Sequence, residues 1–203
     1  MSTALRVLVL FVVGGAVLTV CDGFHTHSGT TAYPDPVFLR MAWWTPLLFG
    51  ATAGFGGLLF AIGCRALGVR RKPTRAQIVA ASVLFCAIYF ASGFLPLASV
   101  PKTALLFAGT LVCFAISDRT WQGAVLAVVA AVCGCAVEIT LSRIGAFWYV
   151  APDVLGIPYW LPCLYLASGS AVGQAARAFL GFEAEPSEGR ISDARAPQVL
   201  LGQ

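Results

Sequence analysis

Charged side chains are scarce in this chain of 203 residues. They make up 11% of it, whereas apolar residues account for 59% and the mean hydropathy is +0.84. Apolar runs with almost no charge recur from end to end, and a single soluble domain has no core large enough to bury them all. The net charge of +4 is small and scattered, which argues against nucleic acid as a partner. The composition predicts a polytopic membrane protein.

Motifs for metal binding and catalysis are also lacking. The sequence has no CxxC pair, no HExxH, no GxSxG elbow and no glycine loop for phosphate. Nearly all of the seven cysteines fall inside apolar runs, which predicts packing and not disulfides or metal ligation. His25 and His27 follow the first apolar run and are interpreted as solvated loop residues. No metal, cofactor or catalytic residue is therefore expected.

Six apolar segments predict an all-α bundle of six transmembrane helices, of which the first and the fourth are short for a bilayer. The first could also be a cleaved signal peptide, but Val20 before Cys21 is a poor cleavage site. The predicted spans are about 5–21, 43–64, 76–95, 102–116, 121–142 and 159–180. They form one membrane domain, residues 1–181. Residues 182–203 are charged and aperiodic, which predicts a disordered cytoplasmic tail.

The basic residues predict the orientation of the bundle. Six spans place both termini on one side of the membrane, and this side carries ten of the 13 lysines and arginines. Only Arg40, Lys102 and Arg143 fall on the other side. Because basic residues are enriched in cytoplasmic loops, both termini are predicted to be cytoplasmic.

Glu138 is the one ionisable residue that the sequence places well inside an apolar run, about 6 Å from the outer end of its helix. It could hold a polar group of a ligand, or it could be a packing carboxyl satisfied by a neighbouring helix. The halves of the chain show neither repeated charges nor matched broken helices, which argues against a transporter. Gly169 and Gly173 form a small-residue face for helix packing, within this chain or with another copy.

Several short motifs, in order along the chain, resemble the Insig (insulin-induced gene) family. The most specific lies in the sixth span, where WLPC at 160–163 precedes Ala167-Ser168-Gly169 and Gly173. The others are AWWTP at 42–46, RALG at 65–68, Ala91-Ser92, Asp118-Arg119 and the loop from Gly145 to Asp153. The similarity runs from about Leu5 to Leu180, which covers the predicted membrane domain.

This resemblance implies a bundle of six spans with cytosolic termini and no enzymatic activity. Insig proteins bind oxysterol among their helices and, in eukaryotes, retain Scap or present HMG-CoA reductase for degradation. By position, Asp118 matches an aspartate needed for partner binding, and Phe85 matches an aromatic residue that faces the sterol. The chain departs from the family where Tyr89-Phe90 replaces an Asn-His pair and where Phe114 replaces a tryptophan.

Together these features predict a lipid sensor that holds a sterol-like or diacylglycerol-like lipid between its helices. The expected lipid-binding residues are Phe85, Tyr89, Phe90, Ser92, Phe114, Glu138 and Trp148. Asp118, Gly169 and Gly173 are expected to bind a membrane-protein partner or a second copy in a homo-oligomer. The alternatives are a scaffold that needs no ligand and a lipid-modifying enzyme that uses Glu138. A composition rich in Ala, Gly and Arg favours a bacterial cell membrane over the endoplasmic reticulum.

Overall fold

Helices dominate residues 1–181, the part of the chain that the computed structural model describes. The helices are α1 (Thr3–Ser28), α2 (Thr45–Ala66), α3 (Arg75–Phe94), α4 (Ser99–Ser117), α5 (Trp121–Arg143) and α6, which runs through Leu161–Ser168, Gly169–Gly173 and Gln174–Leu180. Two short strands, β1 (Thr31–Ala32) and β2 (Trp148–Tyr149), pair antiparallel. The predicted all-α membrane fold is confirmed. The predicted tail, residues 182–203, lies outside the described residues.

Five of these helices, α1 to α5, are long and apolar enough to cross a membrane. The sixth is less apolar because it lies at the centre of the bundle and contacts each of the other five helices. Its Gln174 and Arg177 are buried in protein and hydrogen-bonded, so neither side chain meets lipid. A helix surrounded by other helices does not need an apolar surface on every face.

Both ends of the described chain lie at one end of the bundle. Arg6, near the start of α1, donates to the carbonyl oxygens of Phe179 (3.0 Å) and Leu180 (2.8 Å) at the end of α6. We call this the terminal end, and the opposite end, which carries β1 and β2, the loop end. The six spans therefore bring the termini together, and a cytoplasmic position for them stays a prediction.

The first helix is longer than the sequence predicts. It was expected to end at residue 21, but it continues to Ser28 and spans 26 residues, about 39 Å. Three polar side chains of the extra turns, those of Asp22, His25 and Thr26, are buried and hydrogen-bonded inside the protein: Thr26, for example, donates to the carbonyl oxygen of Leu39 at 2.7 Å. His25 is only 1% exposed, so its interpretation as a solvated loop residue is wrong. Because these polar groups find partners in the fold, they do not end the helix.

Two loops at the loop end fold alike and start α2 and α6 in the same way. One contains an antiparallel bridge between Phe38 and Met41, and the other a bridge between Val154 and Ile157. Between the bridged residues the backbone has positive φ, at Leu39 and Arg40 in the first loop and at Leu155 and Gly156 in the second. Each helix then begins with a proline in its first turn, where the missing N–H needs no partner.

Small residues let α1, α2 and α6 approach closely. A Cβ built on Gly15 of α1 would lie 2.7 Å from the Cα of Gly50 of α2, so only glycine fits this crossing. Each of the three helices also contains one π-helical turn, at Leu10–Gly14, Thr52–Gly56 and Gly169–Gly173. Such turns change the phase of a helix and often line functional sites. In this fold, two of the three border a cavity.

Candidate functional site

A cavity of about 300 Å³ lies inside the bundle, which is large enough for a small molecule or part of a lipid. Its walls are formed by α2, α5 and α6, together with Leu18 of α1 and two residues of α3, Phe85 and Tyr89. Most of the lining is apolar, as at Leu48 and Leu161. The arrangement suits a hydrocarbon chain or ring system.

The cavity reaches the outer surface of the bundle between α2 and α5. Thr52 of α2 and Cys133 and Val137 of α5 line it and are also exposed on the surface of the bundle. A molecule dissolved in the bilayer could enter sideways through this gap without passing through water.

Glu138 supplies the carboxyl group of the lining and is held by two tyrosines. The hydroxyl of Tyr165, on α6, donates to its Oε1 at 2.7 Å. The hydroxyl of Tyr149, on β2, donates to Oε2 at 3.4 Å. Glu138 is half-buried and borders the cavity, so its carboxyl combines hydrogen bonds inside the protein with access to a ligand. Both interpretations of this residue, packing acid and ligand contact, fit this geometry.

Tyr149 is a suitable donor because it keeps its proton. Burial, reinforced by the nearby charges of Glu138 and other groups, raises the pKa of Tyr149 well above its ordinary value. It lies in the loop, 5% exposed, and the pairing of β2 with β1 fixes its position. The loop end of the bundle therefore helps to position Glu138, in the wall of the cavity, through the hydrogen bond from Tyr149.

A second buried polar cluster lies beside the cavity, and sequence reasoning missed it. Asp22, at the end of α1, accepts hydrogen bonds from the hydroxyls of Tyr33 (3.1 Å) and Tyr89 (3.2 Å). His25, one turn later, is stacked on the ring of Tyr89, and its Nε2 is 2.7 Å from the hydroxyl of Ser92. The first helix was predicted to end before these residues, so they were read as loop. Asp22 is thus a second acid beside the cavity, and unlike the half-buried Glu138 it is buried.

Ser92, His25 and Asp22 have the residue types of a hydrolase triad. The Nδ1 of His25 lies 3.6 Å from Asp22, within reach of an ion pair. However, Ser92 is 0% exposed and does not line the cavity, so a substrate carbonyl has no approach to its hydroxyl. Ser92 also donates to the carbonyl oxygen of Tyr89 at 2.6 Å. This geometry fits a structural network that fixes α3 against α1.

The predicted lipid-binding residues divide into two groups. Phe85, Tyr89 and Glu138 lie together in the cavity lining, where Phe85 is 3% exposed and contacts the ring of Tyr89. The other four, Phe90, Ser92, Phe114 and Trp148, lie outside the lining of this cavity. Phe90 points away from it and stacks on Phe94. Trp148 is 44% exposed at the loop end.

Asp118, predicted to bind a partner, is buried at the terminal end and 2% exposed. Its carboxylate accepts hydrogen bonds from the hydroxyl of Thr120 and the side-chain amide of Gln174. Arg71, in the loop after α2, donates to its backbone oxygen. Gln174 bridges the helices at this end. In this conformation Asp118 joins three segments of its own chain and presents no carboxylate to a partner.

Gly169 and Gly173 are buried, and their neighbours belong to the same chain. A Cβ on Gly169 would meet Ala127 of α5 at 2.8 Å, and one on Gly173 would meet the ring of Phe60 of α2 at the same distance. A role for this face in binding a partner stays a prediction. The spacing correctly indicates close helix packing, but the packed helices are α2 and α5 of this chain.

No family-level sequence model matches the chain, but individual proteins do. The insulin-induced gene 1 protein of Danio rerio is 30% identical over 178 residues, which cover 85% of this chain and 71% of that protein. The insulin-induced gene 1 protein of Homo sapiens is also 30% identical over 178 residues, and the match covers 64% of its length.

Solved structures agree with the sequence matches. The structure is similar to the crystal structure of MvINS, an Insig homologue from Mycobacterium vanbaalenii, with a TM-score of 0.75 and 27% identity. The similarity covers 85% of this chain and 92% of MvINS. A cross-linked MvINS trimer gives the same TM-score and covers 86% of this chain. At this identity and coverage, the chain belongs to the Insig family.

Proposed function

We propose that this protein is a non-enzymatic lipid sensor that holds an amphipathic lipid, sterol-like or diacylglycerol-like, in the cavity between α2, α5 and α6. The observation that supports the proposal is an apolar cavity that has one carboxyl group in its wall and includes exposed residues of α2 and α5 in its lining. The hydrocarbon part of the lipid lies along the apolar wall, and its polar group lies near Glu138. Membership of the Insig family supports this assignment.

A filled cavity would change the relative stability of helix arrangements. The lipid gains contacts with α2 and α5 only when both helices line one cavity, so it favours that arrangement by its differential affinity. A partner that contacts these helices would then respond to the lipid. In this way a binding protein without catalytic groups would report the concentration of a lipid to a partner and contribute to lipid homeostasis.

The experiment uses two valine positions on α5. Val137 lines the cavity at its mouth, whereas Val132, also on α5, faces outward and lies outside the lining. Val137→Trp should close the cavity, so that the purified protein retains no specific lipid by mass spectrometry. It should also lose the rise in melting temperature that added cholesterol or dioleoylglycerol produces in the wild type.

Val132→Trp is the matched control, since it adds the same bulk to the lipid-facing surface of the same helix. It should retain lipid as the wild type does. The proposal fails if the wild-type protein carries no lipid and neither added lipid changes its melting temperature. It also fails if Val137→Trp binds as well as Val132→Trp.

A second candidate is a homo-oligomeric scaffold that acts through protein contacts alone. MvINS crystallised as a cross-linked trimer, which supports self-association for this chain. Chemical cross-linking in native membranes, followed by mass measurement in detergent, would detect a trimer. A trimer that forms equally in wild type and Val137→Trp would separate assembly from lipid binding.

The likeness to a mycobacterial protein also supports a bacterial cell membrane as the location. Multiple apolar helices make the protein an integral membrane protein. Fractionation of the source cells would test which membrane holds it.

A further inference from the structure

The two similar loops belong to a longer internal repeat. Gly145 follows Gly29 by 116 residues, and the same spacing separates other identical residues along both helix–loop–helix segments. These pairs are Tyr33 and Tyr149, Pro36 and Pro152, Leu39 and Leu155, Trp44 and Trp160, Pro46 and Pro162, Leu48 and Leu164, Ala51 and Ala167, and Gly57 and Gly173. The carboxyl groups of Asp22 and Glu138 also lie at equivalent positions. The hairpin of α1 and α2 therefore corresponds to the hairpin of α5 and α6.

The structure relates the two hairpins by a local two-fold axis. Ala32 and Trp148, which differ by 116 residues, are partners in the antiparallel pair of β1 and β2. An antiparallel pair of equivalent residues has a two-fold axis between its strands. The two loops therefore lie around one axis at the loop end, and their surfaces can be compared position by position.

Both loops expose large apolar side chains at three equivalent positions, and we call these six residues the loop-tip surface. They are Phe38 and Val154, Leu39 and Leu155, and Trp43 and Tyr159. Met41 and Ile157, which are also equivalent, are buried instead. Each loop therefore has an apolar side chain that packs it against the bundle, and the exposed ones need a separate explanation.

Leu39 and Leu155 adopt a strained backbone conformation. Their φ angles are 47° and 51°, in the left-handed region that glycine and asparagine tolerate and that leucine rarely adopts. At the next position the second loop relieves this strain with Gly156, where the first loop has Arg40 at a φ of 59°. Both loops nevertheless keep leucine at the first position. A leucine side chain offsets such strain when it leaves water for an apolar medium.

The tip of the first loop folds back along α1 and lies at membrane depth. The carbonyl oxygen of Leu39 accepts from Thr26, and a Cβ on Gly23 would lie 3.3 Å from Cδ1 of Leu39. Along α1, Gly23 is about 26 Å from Arg6, which marks the terminal end. The hydrocarbon core of a bilayer is about 30 Å thick, and about 40 Å or more with its headgroups. Leu39 therefore lies near the far boundary of the core.

The second loop reaches a similar depth along α5. A Cβ on Gly156 would lie 3.0 Å from Oγ of Ser142, the residue equivalent to Thr26. Ser142 is about 32 Å along α5 from Trp121, the exposed residue that begins this helix at the terminal end. Any tilt of the helices shortens these distances across the membrane. Both tips therefore lie at the boundary between hydrocarbon and headgroups.

The loop-tip surface also continues an apolar surface of α1. Val13, Val17 and Val20 are exposed at helical spacing on this helix, which is long and apolar enough to cross a membrane. Val20 is one turn from Gly23, against which Leu39 packs. The lipid that covers these valines therefore extends to the loop tip.

We propose that the loop-tip surface is a paired membrane anchor, whose apolar side chains insert into the acyl chains of the leaflet at the loop end. The backbone of the loops lies among the headgroups, since irregular segments need polar partners that hydrocarbon does not offer. Trp43 and Tyr159 suit this level, because tryptophan and tyrosine are enriched at membrane–water interfaces. Arg40, next to Leu39 and exposed, extends its guanidinium to lipid phosphate.

Each anchor is joined directly to a helix that lines the cavity. Trp43 comes just before α2, and Tyr159 just before α6. The antiparallel bridge in each loop ties the tip to the start of its helix. Tips that are held by lipid thus fix the height of α2 and α6 in the bilayer. This anchoring does not depend on a ligand in the cavity.

Photo-cross-linking tests what covers the loop-tip surface. Benzoylphenylalanine replaces Phe38, where a ring is already present, or Leu155, in the full chain reconstituted into vesicles of dioleoyl phosphatidylcholine and dioleoyl phosphatidylglycerol. Val132, exposed on α5, is the control in lipid, and Asp35, a charged and exposed residue of the first loop, is the control in water. Mass spectrometry should show phospholipid adducts at both tips, in at least half of the yield at Val132 and several times the yield at Asp35.

The adducts distinguish lipid from the other covers of this surface. Adducts to a second copy of the chain would show that the surface is a protein interface. Adducts as rare as those at Asp35 would show that the tips lie in water. Either result overturns the proposal, whether or not the cavity binds a lipid.

Leu155→Asn tests the explanation of the strain through the sign of a stability change. Asparagine tolerates positive φ better than leucine, so the variant should melt at the same or a higher temperature if the tip lies in water. If the tip lies in lipid, the loss of apolar contacts should lower the melting temperature in the same vesicles by a few degrees. We expect the second result.

Arg40→Asn is the matched control, because it relieves the same strain without removing an apolar side chain. It should not lower the melting temperature. A Leu155→Asn protein as stable as the wild type would contradict the insertion of this leucine. If Leu155→Asn does not fold, the adducts at Phe38 decide the question, since that replacement keeps an aromatic ring.

Discussion

At the terminal end of the bundle, hydrogen bonds of single residues hold the helices together, and Asp118 is at the centre of these bonds. Its carboxylate joins Thr120 at the start of α5 to Gln174 of α6, while Gln174 accepts from Arg177, which reaches the backbone of Val69. A buried carboxylate is stable only when its acceptor positions are filled, so these contacts are mutually dependent. The family resemblance marks Asp118 as a partner site, whereas the fold uses it as an internal cap.

Gly123→Ala tests this enclosure. A Cβ at Gly123 would lie 1.6 Å from Oδ2 of Asp118, so the carboxylate must move away from Thr120 and Gln174. We expect the free energy of unfolding to fall by about 2 kcal/mol, the usual cost of overpacking. Thermal unfolding of the purified protein measures the change.

Gly56→Ala is the matched control for this substitution. Its Cβ would meet only Thr52, at 4.0 Å, so it should not lower the stability. The enclosure of Asp118 would be disproved by a Gly123→Ala protein as stable as the wild type.

Among the elements, the crossing of α2 and α6 depends on small residues at equivalent positions. Gly57 faces Ala176, whereas Gly173 faces the larger Phe60. With no hydrophobic driving force between helices in lipid, such close packing holds the two helices together. The crossing also sets the width of the cavity, since Gly57, Phe60 and Gly173 all line it.

A double-mutant cycle can isolate the contact of Gly173 with Phe60. Gly173→Ala should destabilise the fold because its Cβ would lie 2.8 Å from the ring, and Phe60→Ala should remove that clash. We expect a coupling free energy of about 1–2 kcal/mol, measured from the melting of both single variants and the double variant.

The control cycle pairs Gly169→Ala with Phe60→Ala. The Cβ of residue 169 would meet Ala127 and not Phe60, so the two effects should add. Equal coupling in both cycles would show that the effect spreads through α6 and does not come from the Phe60 contact.

At the scale of the whole molecule, the bundle has two unlike ends. The terminal end carries most of the basic residues, and the loop end holds the paired strands and both tyrosine–carboxyl contacts. The cavity therefore has its polar wall toward the loop end. If the termini are cytoplasmic, this wall faces the outer leaflet.

Reporter fusions test the orientation. Green fluorescent protein attached after residue 203 should fluoresce, and alkaline phosphatase at the same position should be inactive, because the terminal end is predicted to be cytoplasmic. Fusions after Ile144, at the loop end, should give the opposite result. The same result at both positions would contradict the predicted topology.

How far the sequence predicts this protein varies from element to element. The apolar runs coincide with six helices, five of which are long and apolar enough to cross a membrane. The glycine spacing in α6 indicated close packing, because such packing depends on local composition. The sequence did not predict the end of α1, because polar residues such as Asp22 and His25 are typical of loops. Their hydrogen-bond partners, Tyr33, Tyr89 and Ser92, are brought to them only by the tertiary structure. The repeat was visible as a spacing of 116 residues between matching Gly, Tyr, Pro and Trp residues, and searching for that spacing would have found Asp22.

The amino-acid sequence by itself determined the class of this protein, a six-helix membrane bundle of the Insig family, since span length and apolarity follow from the thickness of the bilayer. It also indicated Glu138 as a candidate ligand contact, because this ionisable residue lies inside an apolar run. Only the tertiary structure decided which residues share the cavity, because Phe85, Tyr89 and Glu138 meet there through packing between distant helices. It also decided that Asp118, Gly169 and Gly173 face inward, since the neighbours of a helix face are set by the whole fold.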